Sequence, residues 1–159
     1  MMRDDDEKYM RLAIEVTKKG IENGQTPFGS VIVKNGEVIA SSHNQVWLDT
    51  DITAHAEITA IRSACKSLGD VDLSGATIYS TTEPCPMCFS ASHWARLDRI
   101  VYGATIEDAA KAGFHELSIH NNLMKELGGS EIAITAGVLQ EECAALFDLW
   151  NAREDKKAY

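Results

Sequence analysis

Thr53-Ala54-His55-Ala56-Glu57 and, further on, Glu83-Pro84-Cys85-Pro86-Met87-Cys88 decide how this chain is read. One imidazole and two thiolates give a zinc ion three protein ligands and leave its fourth tetrahedral position to water, as in a catalytic site. His55, Cys85 and Cys88 are therefore the candidate ligands of one Zn2+ per chain. Glu57, two residues past the histidine, is the candidate proton shuttle: a carboxylate there takes a proton from water acidified by the metal and passes it to a leaving group. The two motifs together predict metal-assisted hydrolysis.

Both motifs fall where helices are predicted to begin. Cys85 precedes Pro86, whose missing N–H is harmless at a first helical position, and the i, i+3 spacing puts Cys88 on the side of Cys85. The partial positive charge of a helix start also favours thiolate over thiol. Around His55, Thr53 is the expected N-cap of a helix over residues 54–68, with Ile58, Ile61, Cys65 and Leu68 as its apolar stripe. Residues two apart point to nearly opposite sides of a helix, about 200° apart. His55 and Glu57 can thus share a metal only if it lies off the helix tip, so two helix N-termini are expected to converge on one zinc.

Two other readings of the cysteines fit less well. A closed structural zinc site needs a fourth protein ligand, from Cys65, Cys143 or a further histidine, yet both cysteines fall on apolar stripes. A thioredoxin-like role for Cys85-Pro86-Met87-Cys88 leaves His55 and Glu57 unexplained. His43, His93, His115 and His120 are read as hydrogen-bonded or surface residues rather than ligands.

Working outward, Asn35-Gly36 between Gly29–Lys34 and Glu37–Ser41 predicts a β-hairpin with positive φ at both turn residues. Before it, Tyr9, Leu12, Ala13 and Val16 recur at helical spacing, with Gly20 or Gly24 at the exit. Strands over 76–80 and 99–103 flank the cysteine helix, which runs to about Arg96; they form a βαβ unit and should be parallel. A strand at 131–135 and a last helix bearing Leu139, Cys143, Leu146, Phe147 and Trp150 complete the pattern. The expected fold is α/β: a three-layer α/β/α sandwich over a mixed sheet of about five strands, with residues 1–159 as a single domain.

Composition narrows the partners. Fifteen basic against 24 acidic residues give a net charge of −9, and the only adjacent basic pairs are Lys18-Lys19 and Lys156-Lys157, which argues against nucleic acid as the main partner. No apolar run is long enough to span a bilayer, and the acidic start, Met1-Met2-Arg3-Asp4-Asp5-Asp6-Glu7, lacks a signal core. A cytoplasmic protein with all four cysteines reduced is expected.

These motifs resemble the cytidine deaminase-like superfamily, whose H-x-E and P-C-x-x-C signature holds a catalytic zinc. Within it, Pro27–Val33, Cys65-Lys66, Trp94-Ala95-Arg96, Asp108–Phe114 and the terminal Lys156-Lys157-Ala158-Tyr159 are similar to the bacterial guanine deaminase branch. That resemblance implies hydrolysis of guanine to xanthine and ammonia. It also implies a second proton-transfer group at Glu116, purine contacts at Asn44 and Phe28, and a homodimer whose C-terminal tails are exchanged. Ala56, Trp94 and Tyr159 then complete the substrate-contact set. The chain departs from that branch at His115, where an acidic residue is common, and at Ser90. A tRNA adenosine deaminase is the alternative, carried by Glu141–Leu146 and the shared zinc motifs, with guanosine or an aminotriazine such as ammeline as further substrates. A catalytically silent zinc scaffold is the non-enzyme alternative, and Glu57 argues against it.

Overall fold

The computed structural model describes all residues 1–159. In chain order the elements are α1 (Asp6–Glu22), β1 (Gly29–Lys34), β2 (Glu37–His43), α2 (Val46–Asp49), α3 (Ala56–Leu68) and β3 (Ala76–Thr82), followed by α4 (Pro86–Trp94), β4 (Arg99–Ala104), α5 (Ile106–Lys111), α6 (Asn121–Gly128), β5 (Ala133–Thr135) and α7 (Gln140–Asn151). The five strands form one sheet in the order β2-β1-β3-β4-β5. β1 pairs antiparallel with β2 and β3, whereas β3–β4 and β4–β5 are parallel.

Strand alternation builds the three layers. Val31, Val33, Tyr79 and Val101 point to one face and pack against Tyr9, Met10 and Ile14 of α1 and Leu146, Phe147 and Trp150 of α7. Ile32, Ile78, Ile100 and Tyr102 point to the other and pack against Ala60 and Ala64 of α3 and Phe89 of α4. Both faces of the central strands are thus covered, the usual condition for parallel pairing. The hairpin turn is as expected, with φ of 53° at Asn35 and 78° at Gly36. No helix is long and apolar enough to cross a membrane.

Two predicted apolar stripes are corrected. On α1, Tyr9 and Ala13 are buried, but Leu12 is 42% exposed, and the buried face turns instead through Met10, Ile14, Thr17 and Ile21. Thr17 belongs there because β1 passes close: a Cβ at Gly29 would collide with Thr17 Oγ1, and that hydroxyl is satisfied by donating to Ala13 O at 2.7 Å. On α3 the buried row is Ala56, Ala60 and Ala64, while Ile58, Ile61 and Cys65 flank it half-buried and Leu68 is exposed. Short side chains at i, i+4 and i+8 let the helix lie close to the sheet, and larger ones cannot share that layer. The boundaries also differ slightly. α4 stops at Trp94 because the chain turns left-handed at Arg96 (φ 58°), and β5 covers only Ala133–Thr135.

A buried ion pair ties the N-terminus to the sheet. Asp6 accepts from Arg99 Nη1 and Nη2 (2.7 and 2.8 Å), Tyr79 Oη (3.0 Å) and the Arg3 N–H (2.6 Å), and Arg99 also donates to Thr135 Oγ1. Burial alone would raise the Asp6 pKa, but the bonds from Arg99, Arg3 and Tyr79 outweigh it and hold the group below its ordinary value. Its stabilisation is therefore full above the unfolded-state pKa and is lost as pH falls through the lowered folded value. Asp6→Asn leaves Arg99 buried without a countercharge and should lower stability by about 3–5 kcal/mol at neutral pH. In urea unfolding, this gap from wild type should narrow as pH falls from the ordinary carboxylate value through the lowered Asp6 value, where the folded wild type itself takes up a proton.

Candidate active site

His55 is the N-cap of α3 and Cys85 the N-cap of α4, with Pro86 at the first helical position after it. The two helix starts converge as expected, although the cap is His55 rather than Thr53. Thr53 instead belongs to the preceding turn, where Asp51 Oδ1 accepts from its N–H and its hydroxyl (2.8 and 2.7 Å) and its carbonyl accepts from His55 N (2.7 Å). That turn sets the histidine one residue outside the helix and lets the ring swing over the helix end.

The donor set fits zinc. His55 Nδ1 lies 3.6 Å from both Cys85 Sγ and Cys88 Sγ, and the three ligand atoms are all within 4.8 Å of one another. Tetrahedral coordination with ordinary Zn–N and Zn–S bonds requires an N···S separation of about 3.6 Å. The Cys88 thiol bonds to Cys85, and with His55 beside it Cys85 is pushed down to about 4, while Cys88 is pushed up by that same bond and by burial. A divalent cation bound there would take both sulfurs as thiolates and release their protons. No fourth ligand is present. Cys143 is buried on α7 against Gly103 and the Val138 carbonyl, and Cys65 lies on the half-buried flank of α3. The group of ligand-type side chains is therefore three, His55, Cys85 and Cys88, as an open site requires.

Glu57 stands in the first turn of α3 and is buried. Burial raises its pKa, and the Cys85 thiolate adds to this, while His55 and the hydroxyl of Ser80 oppose. Ser80, on β3, donates to Glu57 Oε1 at 2.6 Å and is itself fully buried. The sequence reading missed Ser80. Its only signal was a hydroxyl at an inward strand position next to the cysteine loop.

A cavity of about 330 Å3 opens beside these groups, lined by His55, Cys85, Pro86, Met87, Ile52, Phe114, His115, Glu116, Leu117 and Tyr159. Glu116 is thus brought to the metal-binding residues from the loop after α5. Burial, together with the charges of Cys85 and Glu57, pushes its carboxyl up to about 8, and its Oε2 is buried without a hydrogen-bond partner. Asn44 is fully buried. Its Oδ1 accepts from Val46 N at 3.0 Å and its Nδ2 donates to Tyr159 Oη at 2.7 Å. Tyr159 in turn faces the His55 ring at 5.7 Å and the Phe114 ring at 5.8 Å. Ala56, buried between His55 and Glu57, is the first residue of α3, where a backbone N–H has no intrahelical partner.

Of the five expected contact residues only Tyr159 lines this cavity: Asn44 and Ala56 are fully buried outside its lining, and Phe28 and Trp94 lie elsewhere. Phe28 packs edge-on against Phe114 at 4.9 Å and Phe147 at 5.7 Å in the core, so Phe114, braced from behind by Phe28, supplies the aromatic wall. Trp94 is 83% exposed at the end of α4 and borders a separate depression with Val71, Asp72, His93 and Arg96. His43, His93 and His120 bond to Asn44 O, Ser130 Oγ and Glu83, as non-ligand histidines do.

Comparison with known proteins agrees with this geometry. The cytidine and deoxycytidylate deaminase zinc-binding region matches residues 3–104. The chain belongs to this family of zinc-dependent hydrolytic enzymes. Among its relatives, a tRNA-specific adenosine deaminase of Bacillus subtilis is 40% identical over 155 residues, covering 96% of this chain and 94% of its own. The guanine deaminase of the same organism is 40% identical over 154 residues, covering 96% and 98%. The solved guanine deaminase from Nitrosomonas europaea superposes with a TM-score of 0.86 at 30% identity, covering 92% of this chain and 85% of that one.

Metal analysis of the purified protein should find about one zinc per chain, and His55→Ala should lose it. Ser80→Ala removes a hydrogen bond to a charged group and should lower kcat by about tenfold or more with zinc content unchanged. Ser80→Thr, which keeps the hydroxyl, should retain most of that rate.

Proposed function

We propose that this chain is an aminohydrolase of a free purine base, converting guanine and water to xanthine and ammonia. The observation that carries this reading is Glu116, a second carboxyl in the cavity wall whose pKa burial and the charges of Cys85 and Glu57 push up to about 8, with one oxygen unpartnered. An exocyclic amine leaves as ammonia only after gaining a proton, and an acid poised in this way supplies it. Bound zinc would polarise a water molecule and lower its pKa. Glu57 Oε1 is held by Ser80, which leaves Oε2 to accept a proton from the attacking water and deliver it to a ring nitrogen. The water oxygen becomes the oxygen on C2, the bond from C2 to the amine breaks as Glu116 protonates the departing nitrogen, and the hydroxyl proton released as the C2 carbonyl forms passes back to restore Glu116.

The cavity suits a small flat ring. Its volume of about 330 Å3 admits one bicyclic base, and Ile52, Met87, Leu117 and Phe114 offer apolar walls to the ring faces. Tyr159, held in place by Asn44, presents a polar edge. The tail that carries Tyr159 is anchored by the Trp47 Nε1 bond to Lys157 O (2.8 Å) and by Lys157 Nζ, 3.7 Å above the Trp47 ring. The tail brings Tyr159 into the cavity wall, and the net charge of −9 opposes a tRNA. The same contacts serve a tail exchanged between two copies, so a homodimer is part of the proposal. Reduced thiolates suit the cytoplasm.

Ammonia release decides among substrates. Guanine should give the highest kcat/KM in a panel with guanosine, adenine, cytosine, cytidine, ammeline and an anticodon stem-loop; inosine formation in the stem-loop with guanine inert would overturn the proposal. Glu57→Gln should abolish turnover, and Glu116→Gln should lower kcat by about 10^2 to 10^4 with the fold intact by circular dichroism.

A further inference from the structure

Glu83 and Asn121 meet on the loop that delivers Cys85, and neither has a part in the chemistry above. Between Glu83 and Pro86 two of four residues are prolines, so only Glu83 and Cys85 have a backbone N–H with which to fix the segment. Glu83 N donates to Ala104 O at 2.8 Å, which ties the start of the loop to the end of β4. The rest of the fixing comes from α6, far along the chain.

Asn121, the first residue of α6, is fully buried, and its Nδ2 donates to Pro84 O at 2.6 Å. Its Oδ1 has no partner, so this one bond orients the amide, and a flipped amide would set oxygen against oxygen. In the other direction, the buried Glu83 carboxylate accepts from Asn121 N (2.8 Å) through Oε1 and from His120 Nδ1 (3.2 Å) through Oε2. Each partner thus holds the other: the helix start binds the carboxylate, and the amide binds the carbonyl immediately before Cys85. A thiolate ligand must stand about 2.3 Å from zinc in a fixed direction, and nothing within the proline-rich loop supplies that precision.

We infer that Glu83 and Asn121 form a reciprocal clamp between α6 and the cysteine loop that positions Cys85 for zinc. They are positioning residues, acting through Cys85. The inference rests on His55, Cys85 and Cys88 being the zinc ligands.

The test is zinc affinity, measured by competition with a chromogenic chelator, alongside the thiolate-to-metal absorption of the cobalt-loaded protein. Loss of a partner that orients a ligand typically weakens metal binding about 10–100-fold. Asn121→Leu and Glu83→Ala should raise the zinc dissociation constant by that factor, weaken or shift the cobalt band, and narrow the Tm difference between zinc-loaded and zinc-free protein. Glu83→Gln retains an acceptor for Asn121 N and should stay near wild type. If the larger changes prevent folding, Glu83→Asp carries the test: it keeps the charge, shortens the reach by one methylene and should still weaken zinc binding. Wild-type affinity and cobalt spectrum in the folded variants, or equal falls in both Tm values, would overturn the clamp. Wild-type protein that binds no zinc would instead overturn the ligand assignment.

Discussion

The close seating of α3 on the sheet through Ala56, Ala60 and Ala64 governs the geometry of the whole site. Because that face carries only methyl groups, the start of the helix lies near enough to β3 for Ser80 to reach Glu57 at 2.6 Å. The same seating brings His55, one residue before the helix, to 3.6 Å from both cysteines. Isoleucine or leucine in that row would lift the helix, and the histidine and the carboxylate would leave the metal-binding position together.

Parallel pairing of β3 and β4 supplies the second half. A strand that returns parallel to its predecessor needs a crossover helix, and α4 is that crossover. Its N-terminus must stand at the end of β3, where the chain leaves the sheet, and that is where Cys85 and Cys88 are placed. The fold thus sets two helix starts side by side at one end of one sheet. Backbone dipoles at both ends favour the thiolates that hold a cation. The buried carboxyls Glu57 and Glu116 are held near this cluster at raised pKa values, their burial being the first cause in each case. Two carboxyls of raised pKa thus border the group of His55, Cys85 and Cys88.

The aromatic layer beneath the cavity links the core to recognition. Phe28, Phe147 and Trp150 pack around Phe114, which presents its remaining face to the cavity and to Tyr159. The stability of the α7 face and the shape of the cavity wall are therefore one packing problem. Phe28 acts by bracing Phe114.

The sequence by itself foretold that His55, Cys85 and Cys88 meet at two helix starts with Glu57 in the first turn of one, and foretold the Asn35-Gly36 hairpin and the parallel unit around the cysteines. Each is written in neighbouring residues: ligand chemistry and helix-start geometry need only a few positions, and a two-residue turn needs only its own φ angles. It did not determine which apolar residues face inward on α1 and α3, because the choice between alanine and isoleucine rows depends on how closely another layer approaches. Nor did it reveal Ser80, Asn121 or the displacement of Phe28 by Phe114, whose partners lie tens of residues away in the chain. Tertiary structure decided these, since hydrogen bonds and ring packing act over a few ångströms and only the folded sheet sets those distances.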